Sequence, residues 1–175
     1  MLKALIAVRG GSVRVKNKNI RPFADKNLLI IKIEQLLRIK EIQDICVNSE
    51  CDDMLKLAKK LGATPIKREA KFATNECSIN DAWENMAQNM SCDHILYTNV
   101  TNPLIKDETY SSCIEKYFSL SKEDSLNTVS LVKEFLWMDG KSLNYDANNQ
   151  PRSQDLPDVI HPNFAINILK KETMI

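Results

Sequence analysis

Apolar residues in this chain fall either in short unbroken runs or at helical spacing, and the two patterns alternate. Lys3–Val8 is almost continuous in Ala, Leu, Ile and Val, as expected of a strand covered on both faces. Leu28–Leu37 carries dense apolar positions at helical length, with Asn27 placed to cap it. Ile45–Val47 predicts a second strand. Ser49 then precedes Glu50, Asp52 and Asp53, and Met54, Leu55, Leu57, Ala58 and Leu61 follow at helical spacing up to Gly62. That order is a cap, an acidic first turn, an amphipathic helix and a terminal glycine. Ala63–Ile66 predicts a third strand, Ser78–Met90 a helix begun by a capping serine, and His94–Thr98 a fourth strand. Asp107–Phe118 is the next helix, with further strands at Leu126–Val132 and Phe164–Leu169. Strands alternating with helices of about ten residues or more predict crossover units in an α/β fold: a doubly wound, mainly parallel sheet with helices on both faces.

The chain has 175 residues, enough for one domain with a sizeable core and short for two. Its formal net charge of +1 gives no global basic field for nucleic acid, so any anion site must be a local cluster. The cysteines at 46, 51, 77, 92 and 113 lack CxxC spacing, and with two histidines they assemble no zinc pattern. They read as reduced thiols of a cytoplasmic protein. The opening MLKALIAV runs directly into RGGS without the features of a signal peptide, and no later stretch has membrane-spanning length. Only four glycines occur, and two are adjacent at Gly10-Gly11, which predicts close approach of the backbone to something.

In a doubly wound sheet, ligands collect beyond the carboxyl ends of the strands. That rule places Arg9–Asn19, Arg68–Cys77 and Asn99–Pro103 along one rim. The first segment combines Arg9, Arg14, Lys16 and Lys18 with the glycine pair, Ser12, Asn17 and Asn19. Backbone amides beside fixed positive charge suit a polyphosphate. The spacing is neither GxxxxGK(S/T) nor GxGxxG, so both the P-loop and the dinucleotide fingerprint fail. From composition alone, a solvated basic loop fits equally well.

The loop resembles the signature of the acylneuraminate cytidylyltransferase family, roughly A-R-x-G-S-K-R-x-x-x-K-N: Arg9, Gly11, Ser12, Arg14, Lys18 and Asn19 match in order, and Val13 stands where a lysine is usual. Lys67–Ser78 resembles that family's R-P-x-x-L-A-x-D-x-x-S stretch, Leu96–Leu104 its L-x-Q-P-T-S-P-L motif, and Pro151–Pro157 with His161–Ile166 its R-x-Q-D-L-P…N-G-A-I pattern. Departures fall at Glu69, Asn75, Asn99, Asn102, His161 and Phe164, the last in place of a glycine. The run leading to Trp137 also matches, and Trp137 reads as packing.

The resemblance implies a Rossmann-like nucleotide-diphospho-sugar transferase fold, a single domain over residues 1–175, and a dimerisation excursion over about 133–162. It implies that Arg9, Gly10, Gly11, Ser12, Arg14, Lys18 and Asn19 hold the phosphates of CTP, with Arg9 and Lys18 catalytic, and that Arg68, Cys77 and Ser78 hold the base. Asn99, Thr101, Asn102, Arg152, Gln154, His161 and Asn163 would face an acidic sugar. The implied product is a CMP-sugar with pyrophosphate, in a cytoplasmic homodimer that uses Mg2+ and engages neither nucleic acid nor membrane. The family's late aspartate-bearing segment for the metal does not occur before Ile175, so metal ligands are not identified, and no general base is evident. Two other readings stay open: a non-catalytic nucleotide-binding homologue or partner subunit, motivated by Val13 and Phe164, and a cytidylyltransferase for a different small acid or phosphate.

Overall fold

A computed structural model describes residues 1–12, 15–120 and 125–175. Val13 and Arg14 lie outside these. The described chain forms two compact units: Met1–Asn127 with Ala165–Ile175, and Thr128–Phe164.

The first unit is built on strands β1 (Leu2–Ala7), β2 (Asp44–Ser49), β3 (Thr64–Lys67) and β4 (His94–Tyr97), with helices α1 (Leu28–Leu37), α2 (Asp52–Lys60), α3 (Ile79–Gln88) and α4 (Asp107–Ser119). Strands β5 (Ser125–Val132) and β8 (Val159–Lys170) complete a six-stranded sheet in the order β3-β2-β1-β4-β8-β5. The β1–β2, β1–β4 and β2–β3 pairs are parallel. Strand β8 runs antiparallel to β4, with Tyr97 opposite Asn167. The sheet is therefore mainly parallel, as the alternation predicts.

Side chains alternate across the sheet and meet helices on each side. Leu2, Ala4, Ile6, Val47 and Leu96 pack with Leu29, Ile33, Met54, Ala58, Tyr110 and Ile114 from α1, α2 and α4. Leu5, Cys46 and Ile95 point the other way and pack with Met86, Ala87 and Met90 in and after α3. Two separate cores on the two faces define a doubly wound sheet.

Asn27 caps α1 by accepting from the Ile30 amide at 2.9 Å, and Ser78 caps α3 by accepting from the Asp81 amide at 3.0 Å. Gly62 ends α2 at φ 87°, a conformation that glycine adopts without a Cβ clash. Ser49 is not the cap of α2. The cap position is Cys51, without a side-chain bond, and Ser49 Oγ instead accepts from the Cys51 amide. Strand β2 continues through Ser49, which leaves Glu50 and Cys51 to make the turn.

The second unit contains a ribbon of β6 (Trp137–Met138) and β7 (Lys141–Ser142). Asp139 at φ 49° and Gly140 at φ 74° form its two-residue turn, the conformation that a tight hairpin requires. The Trp137 indole donates to the Tyr145 hydroxyl at 2.6 Å, and Phe135 meets the same ring edge-on. Val129, Leu131, Trp137, Met138, Leu143 and Ile160 are exposed apolar residues of this unit.

Phe164, where the resemblance expects glycine, has φ 51°. A left-handed L-residue is strained by about 1–2 kcal/mol, and a β-branched one by more. Phe164→Gly is expected to melt no lower than the parent, while Phe164→Val falls by at least about 1 kcal/mol in denaturant titration. Equal losses from both would show that the aromatic side chain, not the backbone angle, governs this position.

Candidate functional site

The segment after β1 leaves the sheet beside the turn after β2. The Gly10 amide donates to Glu50 Oε1 at 2.7 Å, while Glu50 Oε2 is buried without a partner among the described residues. A Cβ on Gly10 would stand 3.5 Å from that carboxylate, and nothing among the described residues lies within 4 Å of one on Gly11. The close approach that the glycine pair predicts is thus between Gly10 and the protein's own Glu50. Asn17 turns the loop at φ 55°, and its carbonyl accepts from the Ile20 and Arg21 amides. Asn19 is buried and donates from Nδ2 to the Arg9 carbonyl at 3.1 Å, so the two ends of the loop are stapled together.

This loop and the turn after β4 enclose a cleft of about 690 Å³ lined by Arg9, Ser12, Val15, Lys18, Asn19, Asn99, Val100 and Thr101. Lys18 has no ion pair among the described residues, so its ammonium is uncommitted beside the cleft. Arg14 falls outside the described residues.

A second cleft of about 400 Å³ adjoins it, sharing Ala7, Val8 and Arg9. Arg68, Phe72, Cys77, Ser78, Trp83 and Tyr97 are among its walls. Arg68 is 7% exposed and stands where β3 ends. Its Nε donates to Asn48 Oδ1 at 2.5 Å and its Nη2 to the Asn48 carbonyl at 2.9 Å. Burial lowers its pKa, with the Glu50 charge opposing. A surface salt bridge does not describe this residue.

Arg9 Nη1 donates to Asn75 Oδ1 at 3.0 Å and lies 3.4 Å from the Ala73 carbonyl, which ties the two clefts at their divide. Trp83 and Tyr97 are tilted rings 5.9 Å apart. Burial pushes the Tyr97 hydroxyl pKa up, with Arg68 opposing, and that hydroxyl donates to Asn99 Oδ1 at 3.2 Å. The Cys77 amide donates to Thr74 Oγ1, and the Ser78 hydroxyl serves its helix cap.

Of the residues singled out in the sequence, Arg9, Ser12, Lys18, Asn19, Asn99 and Thr101 line the first cleft, and Arg9, Arg68, Cys77 and Ser78 the second. Asn102 lies on the turn after β4, with its carbonyl bonded to Lys32. Arg152, Gln154, His161 and Asn163 belong to the second unit. There Arg152 is exposed and pairs with Asp155 at 2.7 Å, a contact worth little in water. Asn163 Oδ1 accepts from Thr128 Oγ1 at 2.7 Å, and its Nδ2 donates to Ser130 Oγ at 3.2 Å.

Sequence reasoning passed over Glu50, Trp83, Tyr97 and Lys32. Glu50 was open to the same carboxyl-end rule that found the other segments. Lys32 was visible as the one charge inside Leu28–Ile33.

The described residues contain no group of three or more His, Cys, Asp and Glu that could hold a metal, and the first cleft has no carboxylate in its walls. The expected Mg2+ thus has no protein ligand set identified among the described residues. No helix among the described residues is long and apolar enough to cross a membrane. The two clefts suit an elongated ligand with a flat polar head between Arg68 and the aromatic pair and an anionic tail on the Arg9–Asn19 loop.

A family model described as Cytidylyltransferase matches residues 3–152. The chain is 27% identical over 173 residues to the pseudaminic acid cytidylyltransferase of Campylobacter jejuni subsp. jejuni serotype O:23/36, covering 90% of this chain and 73% of that protein. It is 26% identical to the N-acylneuraminate cytidylyltransferase of Oncorhynchus mykiss, covering 99% of this chain but only 42% of the relative. Its fold matches a CMP:2-keto-3-deoxy-manno-octonic acid synthetase solved with CTP at a TM-score of 0.75 and 11% identity, over 99% of this chain and 75% of that one.

Proposed function

The chain belongs to the cytidylyltransferase family, and we propose that it activates an acidic sugar of the nonulosonate class with CTP. The observation that carries this reading is the pair of adjoining clefts joined through Arg9, one walled by Arg68 and an aromatic pair, the other by the cationic loop.

Cytosine takes the second cleft, with Arg68 and the backbone near Cys77 and Ser78 at its polar edge. Arg9, Ser12, Lys18 and Asn19 hold the triphosphate, with Arg14 in the same loop. The sugar's anomeric hydroxyl oxygen attacks the α-phosphorus. A new P–O bond forms, the bond to the β-phosphate oxygen breaks, pyrophosphate departs with that electron pair, and the hydroxyl proton passes to solvent. Catalysis here is positioning and charge stabilisation: Arg9 and Lys18 face charge that grows as the leaving group separates. Mg2+ in this reading travels with the nucleotide, an ion that keeps waters and phosphate ligands readily.

Asn99, Thr101 and Asn102 are assigned to the sugar's hydroxyls. Gln154 and Asn163 are assigned to the sugar, and Arg152 and His161 to its carboxylate, for which the arginine fork is suited. The exposed Val129, Leu131, Trp137, Met138 and Ile160 support a homodimer through the second unit, which includes the excursion proposed over about 133–162. Five free cysteines suit a reducing, cytoplasmic setting.

The test is pyrophosphate release with CTP, ATP, GTP or UTP, Mg2+, and pseudaminic acid, N-acetylneuraminic acid or 2-keto-3-deoxy-manno-octonic acid. Release is expected with CTP alone and with at least one acid. Calorimetric CTP binding with silence across the acids would instead support the non-catalytic homologue that Val13 motivates.

A further inference from the structure

Helix α1 carries a lysine, Lys32, that is 0% exposed and packed among apolar neighbours. Its Nζ donates to Gln35 Oε1 at 2.7 Å, to the Asn102 carbonyl at 3.0 Å and to the Tyr110 hydroxyl at 2.6 Å. The ammonium also lies 5.2 Å from the centroid of the Tyr110 ring. No carboxylate touches it among the described residues. Asp107, whose charge acts on it, is held by Arg38 at 2.6 Å. All three ammonium protons are spent on neutral acceptors.

The hydrogen bonds beyond it have a fixed direction. Thr98 Oγ1 lies 2.6 Å from the Ala165 carbonyl, which can only accept, so the one hydroxyl proton of Thr98 is used there. Tyr110, 3.1 Å from the same Oγ1, must then be the donor to Thr98, and its oxygen is left to accept from Lys32. The chain runs from Lys32 to Tyr110, to Thr98, to Ala165. Gln35, oriented by Lys32, donates its amide to the Ile105 carbonyl. The turn after β4 is therefore gripped at three points: at Thr98 through Tyr110, at Asn102 directly, and at Ile105 through Gln35. Between the first two grips lie Asn99, Val100 and Thr101, all walls of the first cleft.

We infer that Lys32 is a positioning residue for the acceptor side of the cleft, its ammonium holding the Thr98–Ile105 turn from beneath so that Asn99 and Thr101 meet the acceptor in one geometry. The inference rests on the proposed function for its readout in catalysis, though not for the grip itself. An apolar side chain would fill the same volume without the desolvation that burial imposes on an ammonium, a burden visible in a pKa lowered to about 8. Retaining a charge there fits a role that packing alone does not supply. Two of its three acceptors lie on other elements, Asn102 on the turn after β4 and Tyr110 on α4, and an apolar side chain has no donor for either.

Two variants test this, Lys32→Met, which keeps the volume, and Tyr110→Phe, which removes the hydroxyl joining Lys32 to Thr98 and leaves Lys32 its bonds to Gln35 and Asn102. Backbone order parameters of Asn99–Asn102 are expected to fall from the rigid range near about 0.85 toward about 0.6 in Lys32→Met, with those of Leu2–Ala7 unchanged. With pseudaminic acid as acceptor, its KM is expected to rise about tenfold while the calorimetric Kd for CTP stays within about twofold, since one charge-assisted hydrogen bond corresponds to roughly that ratio. Tyr110→Phe should show the same split at smaller size. Unchanged turn dynamics in a folded Lys32→Met, or equal weakening of acceptor and CTP, overturns the inference and leaves Lys32 as a core strut. If Lys32→Met does not fold, Tyr110→Phe decides by the same two criteria. No turnover in the wild type with any acid defeats the proposed function instead, and the order parameters still judge the grip.

Discussion

A Lys18→Ala variant is expected to lose about 10²–10³ in kcat/KM for CTP while melting indistinguishably from the parent. Arg9, the other loop cation in the described cleft, already donates to Asn75 and approaches the Ala73 carbonyl. Asn19 is spent on the Arg9 carbonyl, and the Gly10 amide on Glu50. Lys18 lines the cleft with its ammonium bonded to nothing among the described residues. A cation held free in a preorganised loop contributes most where charge develops, at the bridging oxygen of the departing pyrophosphate. Among the described residues its side chain makes no hydrogen bond or ion pair that removal would disturb. Steady-state kinetics with CTP and a single acceptor supply the measurement, and a kcat/KM within about twofold of wild type removes Lys18 from the catalytic set.

The opposite profile is expected of Arg68. It is buried, and Asn48 receives two of its donors, at 2.5 and 2.9 Å. Asn48 Nδ2 is already without a partner among the described residues, so loss of the guanidinium would strand Oδ1 as well. Each buried polar atom left unpaired costs about 1–3 kcal/mol. Arg68→Met is thus expected to destabilise the protein by roughly 2–4 kcal/mol, lowering the melting temperature by about 5–10 °C at this chain length. CTP affinity should fall at least about tenfold, through loss of the base-side donor and loosening of the cleft wall. Arg68→Lys should rescue little, because one ammonium cannot span Asn48 Oδ1 and the Asn48 carbonyl in the planar manner of a fork. Differential scanning calorimetry and isothermal titration separate the two losses. A fall in stability with intact CTP affinity would make Arg68 purely architectural.

The skeleton of this protein was legible because its signals are local. The unbroken run in β1 and the caps at Asn27 and Ser78 each depend on a few neighbouring residues, and each appears in the structure as expected. The Ser49 cap failed for a non-local reason: hydrogen bonding to β3 carries β2 through Ser49, opposite Lys67, and moves the helix start downstream. The cleft residues were found through strand ends, a rule of topology rather than of residue type. Glu50 and Lys32 escaped because their importance lies in partners forty and seventy positions away, the Gly10 amide and the Asn102 carbonyl. Phe164 was conspicuous only as a departure from the resembled pattern, and its left-handed angle explains why glycine would be suited there.

The pairing of β4 with β8 has a consequence for how the protein is made. The Thr98 hydroxyl finds its acceptor at Ala165, 67 positions later, and Tyr97 pairs with Asn167. During synthesis, β1 to β4 can associate in parallel while that edge of the sheet remains bare. Closing such a separation is entropically slow, and an unpaired strand edge is a template for other chains. At about 5–20 residues per second, the nascent chain spends several seconds in that state. The late strand β8 therefore acts as a seal: folding yield should depend more on the translation rate through 98–165 than on any residue of the clefts.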